Sequence, residues 1–414
     1  MSTTQSVPQK SDPPRQTLPR RKSSLRYVAL HGSTLVAFLA ASSVPTPLYG
    51  LYQEKWGFSA TVLTVVFAAY ALALLLSLLV TARLSDHTGR RPAISLALGL
   101  QIAAMATFLL ADGVGWLVAA RVVQGFATGV ATAAVSAAVL DLVRARGTLI
   151  NSMAPMVGMA IGSLGSTALM VYGPWPLHMV YAVLLGIFFV LLGLTWLTPE
   201  TTERRPGALV SLKPRITVPS QTRKALLSVT PALMAVWMLG GFYLSLMPSL
   251  IETVTMVDTP WLSGIVVAAL TLTGASAVLI AQKLSTFTTL MSGGLALGLG
   301  LTITLVGANL GVAALMLGGS VIAGFGFGAS FLGAMRNVLP LAQPHQRAGL
   351  MGVFYIISYT AHSVPTIAAG YLVQHAGELV SVNIYGVVIV ALVASSIAFL
   401  HTQALKRRDE EEND

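Results

Sequence analysis

The stretch that decides the fold is a short basic turn, ARLSDHTGRRP at residues 82–92, which joins two long apolar runs. Gly89 permits a positive φ and Pro92 suits the first turn of a helix, so the chain can reverse within a few residues. Asp86 can pair with Arg90 or cap a helix end. Because basic residues in short loops are retained on the cytoplasmic side, the turn predicts two membrane spans joined on that side. The alternative to a functional role for this turn is that its basic residues only set the orientation of the chain in the membrane.

Outward from this turn, the chain is too apolar to fold in water. Of its 414 residues, 55% are hydrophobic and 10% are charged, against about 25% charged in soluble domains. The absence of cysteine excludes disulfide frameworks and thiolate metal sites. A helix needs about 20 residues to cross the hydrocarbon core, so the apolar runs predict twelve spans. Their approximate bounds are 28–48, 62–82, 93–110, 116–138, 150–172, 177–197, 227–250, 261–281, 290–308, 312–338, 350–373 and 380–400.

The positive charges give the chain an orientation. If both termini are cytoplasmic, the tails, the central linker and alternate connections hold all 25 Lys and Arg except Lys55 and Arg121. The net charge of +10 is therefore an orientation signal, and no nucleic-acid partner is expected. We expect a disordered basic tail, an amino-terminal half, a cytoplasmic linker, a carboxy-terminal half and a charged tail, at 1–26, 27–198, 199–225, 226–402 and 403–414.

Weak internal repetition indicates two related halves. The pairs that recur at nearly the same spacing are Gly125 and Gly324, Gly129 and Gly328, and Pro47 and Pro248. Many transporters arise from duplicated halves that place the substrate site between them. We therefore expect an all-α integral membrane protein with two pseudo-symmetric six-helix halves around a central cavity.

The basic turn resembles the loop between helices 2 and 3 of the major facilitator superfamily, which reads G-x-L-[S/A]-D-x-x-G-R-[K/R]. The matching residues are Leu84, Ser85, Asp86, Gly89, Arg90 and Arg91, and Ala82 replaces the first glycine. The resemblance implies the twelve-helix major facilitator fold. It also implies a cytoplasmic gate, made of Asp86, Gly89, Arg90, Arg91 and Asp141, that closes in one state. The corresponding segment 281–286 of the second half lacks the acid and the basic pair, so no symmetric second gate is expected.

A polar stripe follows the fourth apolar run. Its members recur at three and four residues and so share one helical face, namely Arg121, Gln124, Thr128, Thr132 and Ser136. Polar groups inside a membrane face water or partners, so we predict that the first four line the substrate cavity. Antiporter branches of the superfamily carry a similar Arg-x-x-Gln-Gly pattern in a cavity-lining helix. The alternative is that Arg121 extends to the lipid headgroups.

Glycines beside this stripe and in the fifth run predict close helix packing, namely Gly125, Gly129, Gly158 and Gly162. Gly158 and Gly162 also resemble a degenerate form of the antiporter motif in helix 5, in which Gly162-Ser163 replaces Gly-Pro. That resemblance implies efflux, whereas packing alone is the alternative.

Two residues are candidates for proton coupling. His362 lies near the middle of the eleventh run, on one face with Tyr355, Tyr359 and Thr366, where a histidine can titrate near neutral pH. A neutral histidine bonded to a facing helix is the alternative. Glu252, at the outer mouth, is the second candidate.

The positions of the acidic residues limit the substrates and functions to be expected. All 15 lie at span ends, in loops or in tails, so a cavity around Arg121 suits neutral or anionic substrates. We predict a proton-coupled secondary transporter of a small organic molecule in the cytoplasmic membrane, a monomer with no cofactor and no metal. An uptake permease or an uncoupled facilitator is the alternative within this class. An integral-membrane enzyme or a receptor is the alternative from another class, although no catalytic motif favours an enzyme.

Overall fold

The computed structural model describes residues 21–257, 259–343 and 345–413, and these residues form α-helices joined by short connections. No β-strand occurs among them. The helices are α1 (Arg21–Ser43), α2 (Pro45–Trp56), α3 (Ala60–Thr81), α4 (Leu84–Thr88), α5 (Arg90–Leu109), α6 (Val114–Leu142), α7 (Arg144–Tyr172), α8 (Met179–Thr195), α9 (Ala208–Ser211), α10 (Arg223–Ser245), α11 (Met247–Thr255), α12 (Trp261–Ala281), α13 (Thr286–Leu310), α14 (Ala313–Val338), α15 (Arg347–Ala376) and α16 (Glu378–Asn413).

Each of the twelve predicted apolar runs coincides with helix. Ten segments of the described chain, counting α1 with α2 as one, are long and apolar enough to cross a membrane. The sixth run corresponds to α8, which is apolar but has only 17 residues. The eleventh run corresponds to α15, whose buried polar residues make hydropathy alone insufficient to identify it as a span.

Two spans are broken at corresponding places. α1 gives way to α2 at Pro45, whose missing N–H leaves the carbonyl of Ala41 without its helical donor. α10 and α11 are separated at Leu246, two residues before Pro248. The predicted pair Pro47 and Pro248 therefore lies just after an equivalent break in each half.

The two halves repeat the same helix contacts. In the amino-terminal half α6 packs on α3, and a side chain at Gly125 or Gly129 would collide with α3. In the carboxy-terminal half α14 packs on α12 in the same way at Gly324 and Gly328. The prediction of two pseudo-symmetric halves is confirmed, and the glycines permit the close approach of the two helices in each pair.

The halves meet along two helix pairs, α3 with α15 and α7 with α12. Contacts between α3 and α15 occur near both ends of these helices. At one end the hydroxyl of Thr61 donates to Gln374 at 2.7 Å, and at the other end Leu79 lies against Gly352. Between these ends the ring of Phe67 lies 5.0 Å from the ring of His362, so α3 and α15 are in contact at the middle as well.

One end of the bundle gathers the turn after α3, the linker after α8 and the start of α15, and we call it the basic end. There the N–H of Arg205 donates to the carbonyl of His87 at 2.9 Å. The N–H of Thr217 donates to the carbonyl of Gly349 at 3.4 Å, so the linker contacts both halves. The basic end thus joins the two halves through the linker.

The two predicted tails adjoin long helices. Residues 1–20 of the predicted tail 1–26 lie outside the described part of the chain, whereas 21–26 belong to α1. The predicted tail 403–414 is helical to Asn413 as the continuation of α16. Helix continues into 21–26 and 403–413 because these short segments lack Gly and Pro and contain strong helix formers such as Lys, Arg, Leu and Glu.

Candidate functional site

Arg121 lies in the interior of the amino-terminal half. Its side chain, on α6, is 1% exposed. One guanidinium nitrogen, Nη1, donates to the carbonyl of Ser42 at 2.9 Å and to Oε1 of Gln124 at 2.8 Å. This burial disagrees with the alternative in which Arg121 extends to the lipid headgroups.

The broken first span accounts for the partners of this arginine. Because Pro45 has no N–H, the carbonyl of Ala41 needs another donor, and Nε2 of Gln124 donates to it at 2.8 Å. Arg121 binds the next carbonyl along the chain. The hydroxyl of Thr128 donates to the carbonyl of Gln124 at 2.8 Å. The polar stripe of α6 therefore holds the break between α1 and α2 against α6.

The guanidinium of Arg121 has aromatic neighbours and no acid. It lies 4.4 Å from the centre of the Tyr70 ring and 5.9 Å from that of Phe67. No carboxylate of the described residues pairs with it, and none of their Asp or Glu side chains is fully buried. Its Nε also lacks a hydrogen-bond partner in the described part of the chain. Arg121 thus keeps in the interior a positive charge that no described carboxylate compensates, where unpaired charge is costly, and the phenol of Tyr49 is a polar neighbour.

The other residues predicted to line the cavity are packed against protein and do not face an open cavity. Gln124 and Thr128 are fully buried, and Thr132 is half-buried farther along α6. The four packing glycines lie where an added side chain would collide with the neighbouring helix, α3 for the first two and α1 for the last two, namely Gly125, Gly129, Gly158 and Gly162.

His362 lies where the halves meet. Its Nδ1 is 2.9 Å from the carbonyl oxygen of Trp237 on α10, so Nδ1 carries the proton and donates it. The imidazole ring is 5.0 Å from the ring of Phe67 on α3 and 5.6 Å from that of Trp237, centre to centre. The hydrogen bond to α10 fits the interpretation of a neutral histidine bonded to a facing helix. It is also compatible with proton coupling, because a histidine bonded in this way still has Nε2 available to take up a proton.

The residues of the predicted gate form a charge network at the basic end. Nη1 of Arg90 donates to Asp86 at 2.6 Å, and Nε donates to Asp141 at 3.0 Å. Nη1 also donates to the hydroxyl of Ser85 at 2.6 Å. Arg90 is 9% exposed, and two carboxylates compensate its charge. All of these partners belong to the amino-terminal half, so the network stabilises the turn within that half.

Glu200, in the linker after α8, joins this network although the sequence analysis did not single it out. Its carboxylate accepts from the backbone N–H groups of Arg90 at 2.7 Å and Arg91 at 3.0 Å, at the start of α5. Gly89 has φ of 94°, and a side chain there would collide with Glu200. The guanidinium of Arg91 turns away to the carbonyl of Trp196 at 3.1 Å. The sequence signal was an acid just after a span, which is too common to be informative.

A cavity of about 390 Å³ opens at the end of the bundle opposite the basic end. Residues of α2, α11 and α12 line it, among them Tyr49, Glu54 and Glu252. The predicted cavity residues of α6 and His362 do not line it, because the halves are packed together below it. Tyr49, which lines this cavity, is also a neighbour of Arg121. The cavity therefore stops one side chain short of the interior site.

Glu252 is the one proton-coupling candidate that lines this cavity. Burial against the cavity wall raises the pKa of its carboxyl above the ordinary value, and a hydrogen bond with Ser263 opposes this shift. The neighbouring carboxylates of Glu54 and Glu378 raise the pKa further. Glu252 therefore takes up a proton at higher pH than a solvated glutamate does.

Comparisons with known proteins agree with this architecture. The family model described as Major Facilitator Superfamily matches residues 31–366. The uncharacterized transporter YebQ of Escherichia coli (strain K12) is 32% identical over 166 residues, which are 39% of this chain and 35% of that relative. The chain thus aligns with only about a third of the length of YebQ.

A solved structure shares the fold. The crystal structure of a mutant of the nucleoside transporter NupG superposes with a TM-score of 0.70 over 91% of this chain and 99% of that one, at 11% identity. The helices, their paired arrangement and the family match lead to one conclusion. The chain is an integral membrane protein that belongs to the Major Facilitator Superfamily, a family of secondary transporters.

Proposed function

We propose that this transporter moves a small neutral or anionic organic molecule across the cytoplasmic membrane by alternating access. In this proposal the basic end and both termini face the cytoplasm, because positive residues of short connections are retained there. The two halves rock about a site between them, so that the interior opens first to one side and then to the other. The protein works as a monomer with no cofactor.

The observation that carries this proposal is the state of Arg121. It is buried near the contact between the halves, with a positive charge that no described carboxylate compensates. A buried cation of this kind favours a substrate that brings negative charge or hydrogen-bond acceptors, and it disfavours organic cations. The broken span next to Pro45 contacts Arg121 through the carbonyl of Ser42, and the break next to Pro248 is its counterpart in the other half, so each half has a place to bend.

Export is the direction we propose, on the Arg-x-x-Gln-Gly pattern that begins at Arg121 and on the glycines of α7. Both features resemble antiporter branches of the superfamily. Uptake would require the same site to load from the outside, and the direction of gradient-driven flux distinguishes the two.

Proton coupling completes the proposal, with His362 and Glu252 as the candidates. His362 keeps an Nε2 lone pair in the interior, and Glu252 lines the cavity at the opposite end with a raised pKa. A group that titrates near the working pH and is exposed alternately to the two sides can carry one proton per cycle.

Counterflow in proteoliposomes tests transport itself. Vesicles loaded with an unlabelled organic anion are diluted into the labelled anion, and we expect transient accumulation that empty vesicles do not show. Candidate anions come from a ligand-stability screen, since a bound ligand raises the melting temperature. Absence of counterflow for every stabilising ligand would contradict a transport function.

An imposed pH gradient tests coupling. We expect His362→Gln or Glu252→Gln to lose gradient-driven accumulation while keeping counterflow, because counterflow needs no proton movement. The residue whose replacement has this effect is the one that carries the proton. Full accumulation by both variants would show that neither residue couples transport to protons.

A further inference from the structure

We propose that the substrate of this transporter is a planar aromatic organic anion, which binds between Arg121 of the amino-terminal half and Trp237 of the carboxy-terminal half. This inference rests on the proposed transport function and names the class of its substrate. It is argued from the rings and the unused hydrogen-bond donors at the contact between the halves.

A continuous series of aromatic rings crosses that contact. The guanidinium of Arg121 lies over Tyr70 and beside Phe67, at 4.4 Å and 5.9 Å from the ring centres. Phe67 is 5.0 Å from His362, and His362 is 5.6 Å from Trp237. The series therefore begins on α6 and α3 in one half and ends on α15 and α10 in the other.

The carboxy-terminal end of this series is itself a small aromatic cluster. Trp237 lies 4.6 Å from Tyr359, with the two ring planes at 54°. The same indole is 5.6 Å from His362 at 87°. These are edge-on and tilted contacts of the kind that aromatic rings favour, and a planar guest ring can adopt similar contacts with each of them.

Two N–H donors in this region have no hydrogen-bond partner. They are Nε of Arg121 and Nε1 of Trp237, and both atoms are buried within the described part of the chain. Buried donors are almost always paired, so each of these two N–H groups, one beside the phenol of Tyr49 and one at the other end of the ring series, can take an acceptor from a ligand. One donor comes from each half, so a ligand that accepts from both would bridge the halves.

The charge of the region selects the sign of the ligand. Among the described residues Arg121 has no acidic partner, and the other titratable side chains of the series are the phenols of Tyr70 and Tyr359 and the imidazole of His362, which donates to a carbonyl. A carboxylate accepts from the guanidinium and compensates its charge, and a further oxygen of the same ligand can accept from the indole N–H. An organic cation would leave both donors unpaired and would add repulsion.

In the present conformation the rings of the two halves touch one another, as Phe67 and His362 do. A bound planar ring would replace these contacts with its own faces and edges while the halves rock apart. The same rings would then line the site when it is open and close against each other when it is empty.

A matched set of ligands tests the inference on the purified full-length protein. The probes are 2-naphthoate, its saturated counterpart decahydro-2-naphthoate, and the cation 2-naphthylmethylamine, each followed by the rise in melting temperature. We expect 2-naphthoate to bind roughly tenfold more tightly than the saturated acid, because only the flat ring keeps the aromatic contacts. The amine should produce no shift.

Two variants assign the site. Trp237→Phe keeps a ring but removes the indole N–H, and should weaken the binding of 2-naphthoate roughly tenfold. Arg121→Lys keeps the charge but loses the guanidinium geometry, and should weaken the binding of 2-naphthoate by a similar factor. Trp175→Phe, at an exposed tryptophan before α8, is the control and should bind as the unmodified protein does.

The outcomes separate this inference from transport itself. Equal stabilisation by the flat and saturated acids, stabilisation by the amine, or none by 2-naphthoate at millimolar concentration would overturn the aromatic-anion inference. Unchanged binding in both Trp237→Phe and Arg121→Lys would overturn the site. Counterflow of a non-aromatic solute in the same preparation would leave the transport function standing in each of these cases.

Discussion

Arg90 and Arg121 are buried arginines of the same half, and their surroundings are opposite. Arg90, at the basic end, is held by two carboxylates at 2.6 Å and 3.0 Å. Arg121, in the interior, is held by a carbonyl and an amide oxygen, and no described carboxylate pairs with it. The first arrangement compensates the charge within the protein, whereas the second leaves it for something that the protein does not contain.

This difference separates a structural arginine from a binding arginine. A fully paired buried charge contributes to a defined local geometry, and removing one of its partners destabilises the fold. An unpaired buried charge weakens the fold and persists when function requires it. Substitutions at Arg90 and its partners should therefore change stability first, and substitutions at Arg121 should change transport first.

Replacement of Arg121 should have the largest effect on transport. Arg121→Ala removes a charge-assisted contact with the substrate, and we expect transport to fall by roughly 10- to 100-fold. Arg121→Lys should keep part of the rate, because the point charge survives. Counterflow normalised to the amount of folded protein measures both. Unmodified rates in Arg121→Ala would assign Arg121 to packing and would remove the argument against cationic substrates.

Loss of a partner of Arg90 should act on stability and conformation instead. Asp141→Asn leaves the buried guanidinium of Arg90 with one acidic partner fewer. We expect the free energy of unfolding to fall by about 1–2 kcal/mol, a modest loss because the ion pair is partly exposed. Asp86→Asn should do the same to a smaller extent and shift the population toward the inward-open state. Thermal unfolding and cysteine accessibility at both ends measure these changes, with Asp112→Asn as the control. Unchanged labelling and melting in both variants would contradict a gate at this network.

Glu200 should stabilise the same turn from the linker. Its carboxylate accepts from two N–H groups at the start of α5, so Glu200→Ala should cost about 0.5–1 kcal/mol. Glu200→Gln should lose less stability, since its amide oxygen can still accept a hydrogen bond from these N–H groups. Thermal unfolding of the two variants tests this order, and equal melting of Glu200→Ala and the unmodified protein would show that the contact does not contribute.

The smallest effect is expected at Glu252. Because the pKa of this carboxyl is raised in the folded protein, its protonated form favours folding at low pH, and that contribution is lost as the pH rises through the raised pKa. Glu252→Gln stays neutral, so near pH 8 it should melt about 1 °C higher than the unmodified protein. The difference should vanish below about pH 4. A difference that is constant across this range would contradict a raised pKa.

Much of the fold follows from the sequence. The turn at 82–92, the twelve apolar runs and the repeated glycines predict the paired helices, because hydropathy and helical period are local properties. The charge network of Asp86, Arg90 and Asp141 follows from the resemblance to the superfamily. The shared face of Arg121 and Gln124 follows from their spacing.

The partners across helices could not be predicted. Gln124 bonds to Ala41 only because Pro45 frees that carbonyl and because α6 lies against α1. Trp237 and Glu200 carried no signal, since a tryptophan in a span and an acid after one are both common. Such contacts depend on which helices become neighbours in space, and no periodicity within one helix contains that information.

The central claim is that the uncompensated charge of Arg121 binds the substrate, and Gln124→Glu tests it most directly. Oε1 of Gln124 already accepts from Arg121 at 2.8 Å, so a glutamate there would give Arg121 the kind of partner that Arg90 has. Gln124→Met, which removes the same hydrogen bonds without adding charge, is the matched control. We predict that Gln124→Glu loses binding and counterflow of organic anions by roughly 100-fold, as expected for the loss of a charge-assisted contact, while Gln124→Met loses far less. Equal binding of an organic anion by the two variants would contradict the account.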